Sequence, residues 1–207
     1  MIDAKQTYSI VHDDDAENLG EYKGKTGFQL GLQAEYRAIW NLWIEAAGLF
    51  RQSQFDHTLF DVERTTINYS EKLSYVDVPV SLKYYFPIKK FSPYIEAGAA
   101  FSFMTNSLGT TTRDDQKDIV NRINYRNTYT TGFFGGVGVA YKLKSISVFA
   151  AFRYSYYGDN VNKDGTRYAD LVNVFKYYYI DDDFRMDNWQ INVGANFALA
   201  YKNKKTK

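Results

Sequence analysis

Apolar and polar residues alternate with a period of two through most of this chain, and no other feature restricts its fold as much. Val76, Val78, Val80, Leu82, Tyr84 and Phe86 form a wholly apolar or aromatic face, with Asp77, Pro79, Ser81, Lys83 and Tyr85 between them. Successive side chains of a strand point to opposite faces, so this segment is a strand with a different environment on each side. The alternation recurs in Phe28–Arg37, Leu42–Arg51, Ile95–Phe103, Phe133–Lys142, Ile146–Ser155 and Trp189–Leu199, giving seven strong strands. An eighth, around Thr7–His12, is weaker.

Short turns near Trp40–Asn41, Pro87–Ser92 and Lys144–Ser145 join strands in pairs, and long polar segments at 56–73, 106–127 and 158–187 separate the pairs. A tilted strand crosses a bilayer in ~9–11 residues, which these segments supply. The layout predicts an all-β, antiparallel up-and-down transmembrane β-barrel of eight strands, with short periplasmic turns and long extracellular loops. A soluble ligand-binding β-barrel shows the same alternation with its apolar face turned inward, and it is the competing architecture. Two features favour the membrane. The polar faces combine Gly, Ala and Ser with scattered charges of both signs, which suits a narrow lumen. Aromatic residues make up 18% of the chain and gather near strand ends, where interfacial girdles place them. Those expected at the interface are Tyr36, Trp40, Tyr84, Phe86, Tyr94, Tyr129, Tyr141, Tyr154, Tyr156, Trp189 and Tyr201.

Composition closes other routes. With 25 Lys+Arg against 24 Asp+Glu the net charge is +1, so no basic surplus points to nucleic acid. No apolar run reaches the ~18–20 residues of a membrane-spanning helix. There is no cysteine for a disulfide, a thiolate metal site or a nucleophile. Lysines gather on the short-turn side and at the C-terminus, while aspartates gather in the long segments, as expected if the two ends face different compartments. The expected organisation is a weak first strand and loop over 1–25, a barrel over 26–201 and a basic tail over 202–207. No charged-then-apolar leader precedes Gln6–His12, so the chain is either processed or truncated, or that strand is misplaced.

Alternation assigns Glu35, Arg37, Glu45, Arg51, Asp77, Lys83, Glu96, Lys142 and Arg153 to the lumen. An eight-stranded barrel is just wide enough for side chains to fill, and an isolated ion in such a space is costly. A plug of paired charges is therefore expected, with an ion pathway as the alternative. Catalysis has little to work with: the histidines are His12 and His57, and His57 with Asp56 or Asp61 would make at best a pair at the rim. Asn160-Val-Asn162-Lys-Asp164-Gly165 partly imitates a calcium loop, but the first position is Asn and the twelfth is Leu171 rather than Glu. Asp181–Asp183 with Asp187 read as a solvated acidic cluster. Gly135, Gly136 and Gly138 lie within an alternating strand rather than between a strand and a helix, so they are no phosphate cradle. No enzyme activity, cofactor or metal is expected.

The stretch Tyr75-Val-Asp-Val-Pro-Val-Ser-Leu-Lys-Tyr-Tyr-Phe86, followed by Ser92-Pro-Tyr-Ile-Glu-Ala-Gly-Ala99, resembles the PorT-like outer-membrane β-barrel domain. Gly27-Phe-Gln-Leu-Gly-Leu32, Ile44-Glu-Ala46 and Gly135-Gly-Val-Gly138 fall where that family has comparable motifs, and the similarity spans residues 26–201. Departures lie at the first strand, which lacks glycine, and at the basic tail. The resemblance implies an eight-stranded barrel in the outer membrane, surrounded by its lipid, with protein partners in an envelope complex such as the type IX secretion machinery. Tyr168, Phe175, Tyr177, Tyr178, Tyr179 and Phe184 in the last long segment are the expected partner-facing residues, because tyrosine gives large contact area at low entropy cost.

Overall fold

The computed structural model describes residues 3–13, 21–60, 66–86, 88, 90–113, 119–143, 146–163 and 184–197; the side chains of 3–13, Glu21, Leu59, Phe60, Arg113, Asn121 and Phe197 are not described. Nine strands result: β1 (Asp3–Asp13), β2 (Glu21–Ile39), β3 (Leu42–Phe60), β4 (Thr66–Tyr85), β5 (Phe91–Arg113), β6 (Ile119–Arg122), β7 (Tyr129–Lys142), β8 (Ile146–Tyr157) and β9 (Phe184–Phe197). All pairings are antiparallel, and each long strand pairs with its sequence neighbour. Pairing of β1 with β9, from Asp3 against Gly194 to Asp13 against Phe184, closes eight strands into a ring. The ninth, β6, is a four-residue strand that extends the outer end of β5.

The outward face within the ring is apolar. Leu32 is 60% exposed, Leu82 53% and Val137 56%, alongside Phe28, Leu30, Val76, Val78, Val80, Ile95, Phe101, Phe103, Phe133, Val148, Phe152, Ile191 and Val193. An apolar band of this size on the outside of a closed barrel is a lipid-facing surface. Inside lie Glu45, Arg51, Asp77, Lys83, Glu96 and Arg153, all buried. The competing soluble barrel would need the reverse arrangement.

Pro79 sits in the middle of β4 with its ring turned inward. Lacking an N–H, it cannot complete a ladder on both sides. Its pairing with Ala100 of β5 is kept, while the β3–β4 register passes from Ala46–Val80 to Leu49–Asp77 without it. At the β2–β3 turn Trp40 adopts φ 42°, the first central position of a two-residue hairpin loop that requires positive φ. The side chain of Arg37 donates from Nε to the Trp40 carbonyl and ties this turn down.

The long segments differ from expectation. Residues 56–60 continue β3, 66–73 begin β4, 106–113 continue β5 and 184–187 begin β9. Strands of 19 to 23 residues in β2–β5 exceed what a bilayer crossing requires, so the barrel wall projects beyond the membrane. Over this projecting part the faces exchange polarity. The outside carries Lys25, Gln52, Gln54, Asp56, Asn68, Ser70, Lys72 and Thr110. The inside holds an apolar cluster of Phe55, Ile67, Tyr69, Leu73, Tyr75, Val161, Phe184 and Met186, with Tyr22 and Met104 against it.

Candidate functional site

The chemistry of this molecule is concentrated in its lumen, where buried charges occupy three levels. Nearest the short turns, Lys83 is the hub: its Nζ donates to Glu35 Oε1 at 2.9 Å, forms an ion pair with Glu45 and lies 3.9 Å from Glu96. Arg153 closes the group, donating from Nε and Nη2 to the two oxygens of Glu96 at 3.0 and 2.9 Å and from Nη2 to Glu45 at 3.4 Å. Tyr85 and Asn196 donate to Glu35 at 3.2 and 3.3 Å. Three carboxylates and two cations from β2, β3, β4, β5 and β8 thus form one connected network across the barrel.

At mid-height Arg51 of β3 donates to both oxygens of Asp77 on β4, at 2.5 and 3.3 Å, and to Ser53 Oγ at 2.9 Å. Nearer the outer mouth, Arg126 lies in the irregular chain between β6 and β7. Its Nε donates to Glu71 Oε1 at 2.9 Å, and its Nη2 and Nη1 donate to Glu71 Oε2 and Asn162 Oδ1. Glu71 also accepts from Tyr69 at 2.6 Å and Ser107 at 2.5 Å. Backbone bonds from Asn127 to Val161 and from Val161 to Phe184 fasten these two segments to each other and to β9.

Each buried cation also lies over an aromatic ring. Lys83 is 4.9 Å from the Tyr94 centroid, Arg51 4.3 Å from Tyr75, Arg126 5.0 Å from Tyr125 and Arg153 4.2 Å from Phe134. Burying a charge costs several kcal/mol, and carboxylate and ring together offset that cost. Space for these groups comes from glycines. A Cβ on Gly138 would stand 2.4 Å from the Tyr94 ring, and one on Gly136 2.9 Å from Glu96 Oε1. A cavity of about 20 Å³ between Arg51, Tyr75, Thr130, Tyr157 and Asn188 has room for about one water.

Several expected site residues stand elsewhere. Arg37 and Lys142 are exposed at the short-turn rim and take no part in the network, because the lumen ends before the strand does. Tyr94 is no interface residue: at 2% exposure it shares the inward face of Glu96 and packs with Ala140, Phe149 and Ala151. Tyr36, Trp40, Tyr84, Phe86 and Trp189 are exposed, Tyr141 and Tyr154 are half-buried, and Tyr201 lies outside the described residues. Phe184 is fully buried in the apolar plug rather than offered to a partner, while Tyr168, Phe175 and Tyr177–Tyr179 lie outside the described residues.

His57 is not at a rim but fully buried, stacked on Tyr22 at 3.7 Å. Asp56 points to the opposite face and pairs with Lys25, as neighbouring residues of a strand must diverge. Asp61 is outside the described residues. In the calcium-like stretch, Asn162 is engaged by Arg126 and the Asn160 carbonyl by Asn127 Nδ2. Asp187 is buried and accepts from Tyr154 at 2.8 Å and from the Tyr157 amide at 3.1 Å. No group of three or more His, Asp or Glu side chains able to hold a metal occurs among the described residues. The outer level, with Glu71 and Arg126, escapes a reading of the sequence because both fall in segments that look like loops. Its signal was Ile67, Tyr69 and Leu73 alternating with Asn68, Ser70 and Lys72.

A closed ring of eight strands, greasy outside and ionic within, defines a transmembrane barrel of the outer membrane. Residues 4–197 match the outer membrane protein beta-barrel domain; the chain belongs to that family and resides in the outer membrane. No curated protein sequence matches it. Among solved structures it is similar to Neisserial surface protein A (NspA), at 15% identity over 93% of both chains with a TM-score of 0.40. Ail, the attachment invasion locus protein of Yersinia pestis, shares 14% over 94% of this chain and 95% of its own, TM-score 0.39. The outer membrane enzyme PagL shares 13% over 92% of this chain and 97% of its own, TM-score 0.39. Such likeness carries no residue and no activity over to this chain.

Proposed function

We propose that this chain is a non-enzymatic barrel with a plugged lumen, acting as a structural or accessory subunit of an envelope complex. The observation that supports the reading is the occupied interior: three levels of paired charge and an apolar cluster stand within the lumen among the described residues. His57, a side chain suited to general acid–base work, is fully buried and stacked on Tyr22, whose ring Phe184 also meets. What remains for function is the surface, above all the wall that rises beyond the bilayer. Resemblance of the Tyr75–Ala99 hairpin to PorT-like domains supports a secretion complex, of the type IX kind, as the setting.

Two measurements test this. Reconstituted in planar bilayers, the protein is expected to give no steady conductance. Extracted from its native envelope in mild detergent, it is expected to migrate in a stoichiometric complex larger than one barrel. A large, stable single-barrel conductance, or a solitary monomer in every mild extract, contradicts the reading.

A further inference from the structure

We infer that the outer mouth contains a receptor for an arginine side chain. The chain fills it with its own Arg126, and an arginine on another peptide can displace that residue. The receptor is built by the wall. Glu71 of β4 turns both carboxylate oxygens inward, and Tyr69 and Ser107 donate to them at 2.6 and 2.5 Å, which fixes their direction. Arg126 Nε donates to Oε1 at 2.9 Å and Nη2 donates to Oε2, a fork-to-fork pairing. Phe55 of β3 and Phe184 of β9 stand around the guanidinium, with ring centroids 5.9 and 5.3 Å from its Cζ. Glu71, Phe55 and Phe184 are fully buried. Carboxylate, hydroxyls and ring faces thus converge from four strands on one planar cation.

Host and guest differ in kind. Glu71 pairs with Phe55 on one side and Gly109 on the other, within long regular strands. Arg126 lies in irregular chain that meets Asn162 through a single bridge, and Asn124 and Thr128 of that chain are exposed. Irregular chain of this sort opens at lower free energy than the paired strands around it. Opening alone is opposed, because it leaves Glu71 a buried charge without its counter-ion. An incoming cation removes that obstacle, so exchange favours a ligand of the same charge as the guest. Shape narrows the class further. Two N–H donors must reach two oxygens while a flat face lies against rings, which a guanidinium does and a compact ammonium does not. The ligand that fits is therefore an arginine within a peptide, as Arg126 is presented next to Tyr125, whose ring lies 5.0 Å from the guanidinium. The receptor belongs to the barrel wall and does not depend on whether the barrel joins a complex.

The test uses the full chain in detergent, with circular dichroism confirming the fold of each variant. Arg126→Ala empties the receptor, and the state of the mouth is read by hydrogen exchange at the Asn127 and Val161 amides. Titrated with methylguanidinium, this variant is expected to exchange more slowly there, by about tenfold once the ion reaches about ten times its Kd. Methylammonium and the neutral methylurea are expected to have no such effect, and Glu71→Gln in the same background to abolish it. In the unaltered protein the sign reverses: N-acetylarginine amide displaces the guest, so exchange at both amides is expected to quicken in proportion to its concentration. N-acetylcitrulline amide, the neutral counterpart, is expected to leave exchange unchanged. No slowing by methylguanidinium in the folded variant, equal slowing by methylurea, or slowing that survives Glu71→Gln overturns the receptor. Exchange in the unaltered protein that ignores N-acetylarginine amide overturns the displacement.

Discussion

At the scale of single residues the lumen behaves as a set of matched pieces, and their matching can be measured. Removing one member of a buried ion pair leaves an uncompensated charge, which costs ~3–5 kcal/mol, whereas replacing both by apolar groups is often neutral. Arg51→Met is therefore expected to lower stability in detergent by about 3 kcal/mol, and Arg51→Met with Asp77→Leu to recover most of that loss, read by chemical unfolding of the reconstituted barrel. The glycines of β7 offer a second contrast. Gly138→Ala drives a methyl into the Tyr94 ring, and overpacking of this kind costs ~1–3 kcal/mol. At Gly135, on the outward face, the nearest atom to an added Cβ is the Glu96 carbonyl oxygen at 3.8 Å, so Gly135→Ala is expected to change stability by less than about 0.5 kcal/mol.

Much of this level was legible. Glu45, Lys83, Glu96 and Arg153 fall on the inward face by parity alone. Tyr94 was legible by the same parity, two residues from Glu96, but its position near a strand end suggested a girdle and that was the weaker argument. Which carboxylate meets which cation was not legible. Lys83 reaches Glu35 across two strand pairings, and sequence separation says nothing of how a ring closes.

At the scale of elements, the instructive feature is the exchange of polarity along β3 and β4. Odd positions face the lumen throughout: Glu45, Arg51, Phe55 and His57 on β3, then Ile67, Tyr69, Asp77 and Lys83 on β4. Even positions face out, apolar at Ile44, Phe50, Val76 and Leu82 but polar at Gln54, Asp56, Asn68 and Lys72. Above the bilayer the outer solvent is water, so the outer face turns polar and the enclosed face is free to become a hydrophobic core. Polar content made residues 56–73 resemble a loop, although Ile67, Tyr69 and Leu73 still alternate with Asn68, Ser70 and Lys72. Since the chain has no cysteine, single substitutions report the boundary cleanly. In reconstituted vesicles, Gln54→Cys and Lys72→Cys are expected to react with a membrane-impermeant maleimide, and Val78→Cys and Leu82→Cys to resist it.

For the whole molecule, two ideas combine: a lipid-embedded half held by ion pairs and an outer half held like a soluble barrel. They meet at Arg126, which ties the segments around Tyr125 and Asn162 to Glu71 on the wall. Arg126→Ala is expected to leave the ring closed but to loosen the mouth. A loss of ~3 kcal/mol locally corresponds to about a hundredfold faster hydrogen exchange at the Asn127 and Val161 amides. Protection in β7 and β8 is expected to stay unchanged, so a uniform rise across the barrel would contradict the division into halves.

The central claim, that lipid covers the aliphatic face and protein encloses the charged one, is tested most directly by solid-state NMR of the unaltered, isotopically labelled protein in bilayers. Magnetisation transfer from acyl-chain protons is expected to reach the methyl groups of Val78, Leu82, Ile95, Val137 and Ile191, and not those of Leu49, Leu73 and Ile67. Transfer to Leu49 and Leu73 with none to Leu82 and Val137 would contradict the account.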